Sequence, residues 1–360
     1  MLKRILKIVY TFAVFCMIVP AFAAKDKASI LTEIVSFDVH GNANLAVSGS
    51  VFTAKGFSAS DIVSVTVEKF KFTAPIVKNY SDVNNGDFLL RMNGDEISLA
   101  INMGSLQAAT GAKVGSKVFI TLKERYGYLN SYQTRMLKKS DDRSKFDSDE
   151  VFANFRSVSY GTVVKDRLYR SYSPLENDER GQTVSKLMEQ EGISLVINLA
   201  DDDEALAGKL KNSAYYKKLQ SEGKVVNVSM GSSFSGNEFN AQLKKVLLFM
   251  TEHPDCKYLI HGKEGKNRTG YVTSVLLALS GATYEEISAD YMASFENLYG
   301  LKKNRQQYEL IAYAVPFMFM SMNGGKKINE KNLQQIVSAY LLNTVGLTNN
   351  QIETLKKNLK

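Results

Sequence analysis

The chain has no tryptophan and only 5 prolines, 3 histidines and 2 cysteines in 360 residues, and each shortage excludes something. Two cysteines cannot build a disulfide scaffold. One of them, Cys16, lies in an N-terminal segment read below as removable, so Cys256 is left without an internal partner and reads as a buried, inert thiol. His40, His253 and His261 are far apart in sequence and form no zinc pattern, and no regular calcium-loop spacing occurs, so no metal or other cofactor is called for. The lack of tryptophan means that unfolding is best followed by calorimetry or circular dichroism. Low-complexity and collagen-like classes are excluded by 24 glycines without period, 44% hydrophobic and 23% charged residues; the length suits about two globular domains. The formal charge of +8 includes Lys3, Arg4 and Lys7 of the N-terminal segment; what remains is too small a surplus to argue for nucleic acid without a motif.

Long apolar runs are missing except at the start. After the basic residues comes an apolar run from Ile8 to Ala21, broken by Thr11, and then Ala21-Phe22-Ala23 with small-x-small spacing. This is the pattern of an export signal over residues 1–23, with cleavage before Ala24. The run is shorter than the roughly 20 apolar residues of a spanning helix. Phe15, just before Cys16, is bulky where a lipoprotein signal needs a small residue. The expected product is periplasmic, surface-held or secreted, with no membrane span after cleavage.

Residues 24–137 show alternating apolar positions, as in Val63, Val65 and Val67 or Val118, Ile120 and Leu122, with turn chemistry at Asn84-Asn85-Gly86 and Asn93-Gly94-Asp95. They predict an all-β accessory domain, sandwich or small barrel, with nothing in it that looks like an active site. The charged, aliphatic-poor stretch 138–150 reads as a linker. From 151 to 300 strand patterns (Leu195–Leu199, Val225–Met230, Lys257–His261) alternate with helical ones (Asp178–Gln190, the stretch with Phe239, Leu243, Val246, Leu247 and Met250, and Arg268–Leu279). That alternation predicts an α/β domain, a central and largely parallel sheet flanked by helices. Residues 301–360 read as a helical C-terminal extension. Capping boxes are expected at Thr283–Glu286 and Thr348–Gln351, and Phe317 and Phe319 among Met318, Met320 and Met322 read as core.

The informative segment is Tyr258-Leu-Ile-His261-Gly262-Lys263-Glu264-Gly265-Lys266-Asn267-Arg268-Thr269-Gly270, a strand, a tight loop and a helix start. Such a loop turns successive N–H groups inward at a helix N-terminus and makes an anion nest, to which Arg268 adds a planar fork. It resembles the signature of the cysteine-dependent protein tyrosine phosphatase superfamily: His-Cys, two residues, Gly, two residues, Arg, Ser or Thr, and Gly. His261, Gly265, Arg268, Thr269 and Gly270 match; Gly262 stands where the superfamily has its nucleophilic cysteine. Asn154-Phe155-Arg156, Gly161, Arg167 to Ser171, Val196 to Leu199 and Asp290-Tyr291 are similar to the bacterial branch with a Gly-Lys-Asp-Arg loop, and there Asn267 stands in place of the aspartate that protonates the leaving group.

The resemblance implies phosphate binding by Lys263, Glu264, Gly265, Lys266, Asn267 and Arg268, with His261 and Thr269 supporting the loop. It also implies that nucleophile and acid are both missing, since Gly262 has no side chain, Cys256 is on the order of 20 Å away along an extended strand, and Met230–Asn237 contains no Asp. Glu238 and the run Asp201–Glu204 read as helix-starting acids; Lys263 and Lys266 are expected to raise the local positive potential. The leading expectation is an exported, inactive phosphatase-like protein that binds a phosphorylated small molecule or phosphoprotein. Two alternatives stay open: an active phosphomonoester phosphatase altered at Gly262 in this copy, and an interaction protein acting through its β domain.

Overall fold

The computed structural model describes residues 28–231, 234 and 236–360; the export signal read over 1–23 lies outside the described residues. Two units separate, one reaching Leu137 and taking in Glu309–Ile311, the other formed by Lys138–Tyr308 and Ala312–Lys360.

In the first unit, seven strands close a barrel: β1 (Ser29–Phe37), β2 (Ala43–Leu45), β3 (Ile62–Val67), β4 (Phe70–Val77), β5 (Phe88–Asn93), β6 (Glu96–Ile101) and β7 (Lys117–Glu124), in the order β1-β2-β6-β5-β4-β3-β7. Neighbours are antiparallel except β4 and β5. Alternation decides what points in: Val63, Val65, Val67, Val118 and Ile120 are all buried in one cluster. Asn93-Gly94-Asp95 makes the β5–β6 turn. The expectation of a purely β domain needs correction. Short helices α1 (Gly49–Ala54), α2 (Leu106–Thr110) and α3 (Leu129–Arg135) are present; Ser48 caps α1 and Ser105 caps α2, and Phe52 and Leu106 sink into the barrel core. Helices of five to seven residues are too short for a 3.6-residue period to show in the sequence.

The second unit holds a five-stranded sheet made of β8 (Arg156–Ser157), β9 (Leu168–Ser171), β10 (Leu195–Asn198), β11 (Val225–Asn227) and β12 (Tyr258–His261), ordered β11-β10-β12-β9-β8. It is parallel apart from the β8–β9 edge. Tyr169, Val196 and Leu259 pack on one side with Val184 and Met188 of the helix Glu179–Gln190 and Tyr216 and Leu219 of the helix Ala214–Ser221. Leu168, Ile197 and Ile260 alternate with them and are equally buried, so the sheet is covered on both faces. Strand β12, last in the chain, sits at the centre between β10 and β9, and the loop leaving it emerges at the carboxyl edge where such sheets bind ligands.

The stretch 138–150 is tied to this second unit. The Arg180 guanidinium lies 4.2 Å from the centre of the Phe152 ring and donates to the carbonyls of Phe152 and Ser140, while Arg143 pairs with Asp149 at 2.7 Å. Both capping boxes form. The C-terminal helices Leu333–Tyr340 and Asn349–Asn358 bond back to the same unit: Gln334 donates to Leu279 O, Tyr340 to Asn240 Oδ1 and Asn358 to Met250 O. Phe319 and Met318 are buried; no helix among the described residues is long and apolar enough to cross a membrane.

Candidate functional site

The site is the turn from β12 into a helix that runs Asn267–Leu279. Its back is held by hydrogen bonds to successive carbonyls. Ser173 N donates to Lys263 O at 3.2 Å, Asn154 Nδ2 to Glu264 O at 3.0 Å, Arg170 Nη2 to Gly265 O at 2.8 Å and to Lys266 O at 3.1 Å. A trans peptide sets its N–H opposite to its C=O, and no peptide bond here is cis. Carbonyls drawn to the back therefore aim the N–H groups of Glu264, Gly265, Lys266 and Asn267 to the front. Among the described residues these groups of the loop find no acceptor, which is the geometry of an anion nest at a helix N-terminus.

What holds the back is a buried charge network. Arg170, fully buried, pairs with Asp290 Oδ2 at 2.5 Å, and Arg156 reaches Asp290 Oδ1 at 3.0 Å. Burial lowers the Arg170 pKa to about 10, opposed by Asp290, and the Asp290 carboxyl ends below its usual range because the two guanidiniums outweigh its burial. Asn154 adopts φ +48, a conformation Asn tolerates better than most residues, and accepts from Arg156 Nη1 at 2.7 Å. Gly265 is required twice over: its φ is +66, and a Cβ there would lie 1.9 Å from Ser171 O.

The front is different. Gly262 is buried, and a Cβ built on it would meet Thr269 Oγ1 at 3.3 Å and Arg268 Nε at 4.0 Å, so a methyl fits once the Thr269 hydroxyl gives slightly. Thr269 is 1% exposed and its hydroxyl has no hydrogen-bond partner among the described residues. Arg268 Nη1 donates to Leu199 O at 2.9 Å, just past β10, and to Met230 O at 3.0 Å, beyond the end of β11, and its Nε lies 4.0 Å from where a Gly262 Cβ would stand. Partial burial lowers its pKa, yet it stays charged at neutral pH.

The other expected site residues are placed as follows. His261 is fully buried with Nε2 3.2 Å from Tyr216 OH, and burial lowers its pKa to about 4, so it is a neutral support. Lys266 is 8% exposed; its ammonium is bound by Glu264 Oε2 at 2.8 Å and Tyr299 OH at 2.7 Å, so what it gives the nest is its N–H. Glu264 is spent on that same pair, and its pKa is lowered by the Lys266 charge against the effect of burial. The Lys263 side chain is exposed. Asn267 opens the helix and accepts from Tyr291 OH at 3.4 Å. Cys256 is buried just before β12 begins, at the end remote from the loop. Among the described residues no group of His, Cys, Asp and Glu could hold a metal ion.

The model of the tyrosine phosphatase family matches residues 150–360, more than half of the chain. The chain belongs to that family. A second match, to the SAM hydroxide adenosyltransferase C-terminal domain, covers residues 32–119. No curated protein matches. Among solved structures, an uncharacterised conserved protein from Thermotoga maritima is 21% identical over 29% of this chain and 40% of its own, with a TM-score of 0.25. A conserved hypothetical protein from Thermus thermophilus is 22% identical over 30% of this chain and 40% of its own, with a TM-score of 0.19. The core catalytic domain of a PP-IP phosphatase from S. cerevisiae, in complex with citrate, is 19% identical over 48% of this chain and 93% of its own, with a TM-score of 0.29. The chain thus spans about 40% of the first two, and likeness at this level identifies no fold.

Within the family domain, sequence reasoning quoted Arg156, Arg170 and Asp290 without giving them a role, and missed Ser294. A signal was there: Ile287, Asp290, Tyr291 and Ser294 share one helical stripe, and an acid on an otherwise apolar stripe asks for a buried cation. The run Asp201–Glu204 divides. Asp202 caps the helix Asp203–Lys209, as a helix-starting acid should, but Asp201 is 5% exposed and bridges Asn198 Nδ2 at 3.0 Å and Lys209 Nζ at 2.8 Å. Glu238 is exposed in the first turn of the helix Asn237–Glu252.

Proposed function

We propose that this is an exported member of the tyrosine phosphatase family that has lost phosphatase chemistry and binds the phosphate group of a small molecule or phosphoprotein. The observation that carries the reading is the nest itself: N–H groups from Glu264 to Asn267 aimed one way, Arg268 beside them, and no side chain beneath at Gly262. The family reaction needs a thiolate to attack phosphorus and an acid to protonate the leaving oxygen. Gly262 supplies no nucleophile and Asn267 no acid. Asp201 is no substitute, because the Asn198 and Lys209 bonds hold its carboxyl below the usual range, in the ionised state. A bound dianion meets neither a thiolate nor a carboxylate from these positions, so affinity is retained or raised.

The test is calorimetric melting of the protein with phosphate, vanadate, phosphotyrosine and inositol phosphates, each compared with Arg268→Ala against that variant's own unliganded baseline. A ligand at about 100 times its Kd stabilises by about 2.7 kcal/mol, and the shift is expected to vanish in the variant. A shift that survives Arg268→Ala, or none with any ligand, overturns the reading. One observation favours a second reading, an enzyme altered in this copy: a Cβ at Gly262 would meet little beyond an unsatisfied Thr269 hydroxyl, at 3.3 Å, which has only to turn aside. Vanadate-sensitive turnover of a small aryl phosphate by the unmodified protein would establish that second reading.

A further inference from the structure

The barrel unit carries a cleft of its own, and the geometry points to a binding site there for a small zwitterion, an α-amino acid with an apolar side chain. The cleft measures about 350 Å³ and is lined by Ser81, Asp82, Tyr132, Arg135 and Met136. Small-molecule sites run from about 300 to 1,000 Å³, so this one suits a small guest. Its lining comes from the turn Tyr80–Asp82 and from α3 with the residue that follows it, all within the first unit.

Both charged groups of the lining are fixed in place. Arg135 donates through Nη1 to Asn84 Oδ1 at 2.9 Å and through Nη2 to the carbonyls of Ser81 at 3.2 Å and Val83 at 2.8 Å, which leaves its Nε and part of Nη1 unspent. Asp82, 9% exposed, accepts from Asn79 N through Oδ2 at 2.8 Å. What the two do not do is neutralise each other. Among the described residues no ion pair joins Asp82 to Arg135, and Asp82 Oδ1, Arg135 Nε and the Tyr132 hydroxyl have no hydrogen-bond partner.

Unpaired charges of both signs in one cleft select by repulsion as well as by attraction. A lone anion drawn to Arg135 meets the Asp82 carboxylate, and a lone cation drawn to Asp82 meets the guanidinium; a molecule that carries both charges satisfies both. An amino acid has that form. Its carboxylate takes the unspent hydrogens of Arg135, its ammonium takes Asp82 Oδ1 and the Tyr132 oxygen, and its side chain lies on the exposed Met136 and the half-buried Tyr132 ring. An acidic or basic side chain would bring a third charge with no partner in the lining. Because the bonds to Asn79, Asn84, Ser81 and Val83 already hold the two charged groups, little order is lost when the guest enters.

The experiment is titration calorimetry of the full chain with leucine, methionine and phenylalanine, in phosphate buffer so that phosphate competes at the nest. Each amino acid is compared with its deaminated acid and its decarboxylated amine, which for leucine are isocaproate and isoamylamine. At least one amino acid is expected to bind, and its acid and amine to bind about tenfold more weakly or less, as loss of a charged hydrogen bond requires. Asp82→Asn keeps an acceptor for Asn79 N and is expected to weaken the amino acid by a similar factor without weakening the acid. Tyr132→Phe removes a hydroxyl that has no partner in the protein, so it leaves the fold alone, and is expected to weaken the amino acid less. An acid or amine that binds as tightly as its amino acid, amino acid binding unchanged by Asp82→Asn, or no binding by any of the three overturns the assignment. The comparison of ligands on the unaltered protein decides the matter even where the Asn variant does not fold.

Discussion

The two faces of one loop follow opposite rules. At the back, polar groups from 263 to 266 are met by hydrogen-bond partners, including Arg170, itself held by Asp290 at 2.5 Å. At the front, N–H groups, the free part of the Arg268 fork and the Thr269 hydroxyl have no partner among the described residues, and Gly262 contributes no side chain. The contrast shows that residues outside the loop hold its shape, so groups at the front can change while the cradle stays folded. Carbonyls fixed at the back fix the direction of the N–H groups at the front.

The comparison breaks most severely from behind. Asp290→Asn leaves two guanidiniums packed together in the interior without their carboxylate, and breaking a buried pair in this way costs about 3–5 kcal/mol. The expected result is a large drop in melting temperature by calorimetry and loss of any anion-induced stabilisation. If the variant keeps wild-type stability and binding, the back network does not hold the loop.

The next effect is an acid limb from His261. Burial lowers its folded pKa to about 4, below the unfolded value of about 6.5. Between those values the unfolded chain binds a proton that the folded one does not, so stability is complete above about pH 6.5 and falls as pH drops toward 4, by about 3 kcal/mol in all. Melting temperatures of the protein and of His261→Gln across pH 4.5–7.5 check this, the expected outcome being a shallower acid slope in the variant. Parallel slopes would remove the buried imidazole as the cause.

The smallest effect sharpens the contrast. Gly262→Ala is expected to shift stability by less than about 1 kcal/mol, because its Cβ meets the Thr269 hydroxyl at 3.3 Å and Arg268 Nε at 4.0 Å, both able to give, and the unfolded chain loses entropy. At Gly265 the same substitution faces a 1.9 Å clash with Ser171 O at φ +66 and is expected to unfold the loop. Two glycines three residues apart would then differ in melting temperature by several degrees, one required by the back and one merely absent from the front.

Much of this was legible in the residue order. Period-two alternation at Val63, Val65 and Val67 and at Val118 and Ile120 marked strands of the first unit, the runs Leu195–Leu199 and Lys257–His261 marked strands of the second, and both capping boxes and the β12-to-helix turn fell where the side chains put them. Closure of the barrel and its short helices were not legible, because a closed register and a single buried Phe52 or Leu106 leave no period to read. In the site, the sequence indicated the loop, the absent side chain at Gly262 and the amide at Asn267, each a property of one residue type at one position.

Which of the charged residues act, and on what, belongs to the tertiary structure. Lys263, Lys266 and Arg268 look equivalent in sequence, yet one is exposed, one is consumed by Glu264 and Tyr299, and one is anchored beyond β10 and β11 with no further partner for its fork among the described residues. Asp290 and Arg170, separated by 120 positions, meet behind the loop only because β9 and the helix Tyr284–Tyr299 pack together there. Sequence determines which groups a chain carries and the local periods that form its strands and helices. Burial, partner and direction depend on what the rest of the fold brings within hydrogen-bond distance, and that long-range meeting made one face of this loop a closed network and the other an open row of donors.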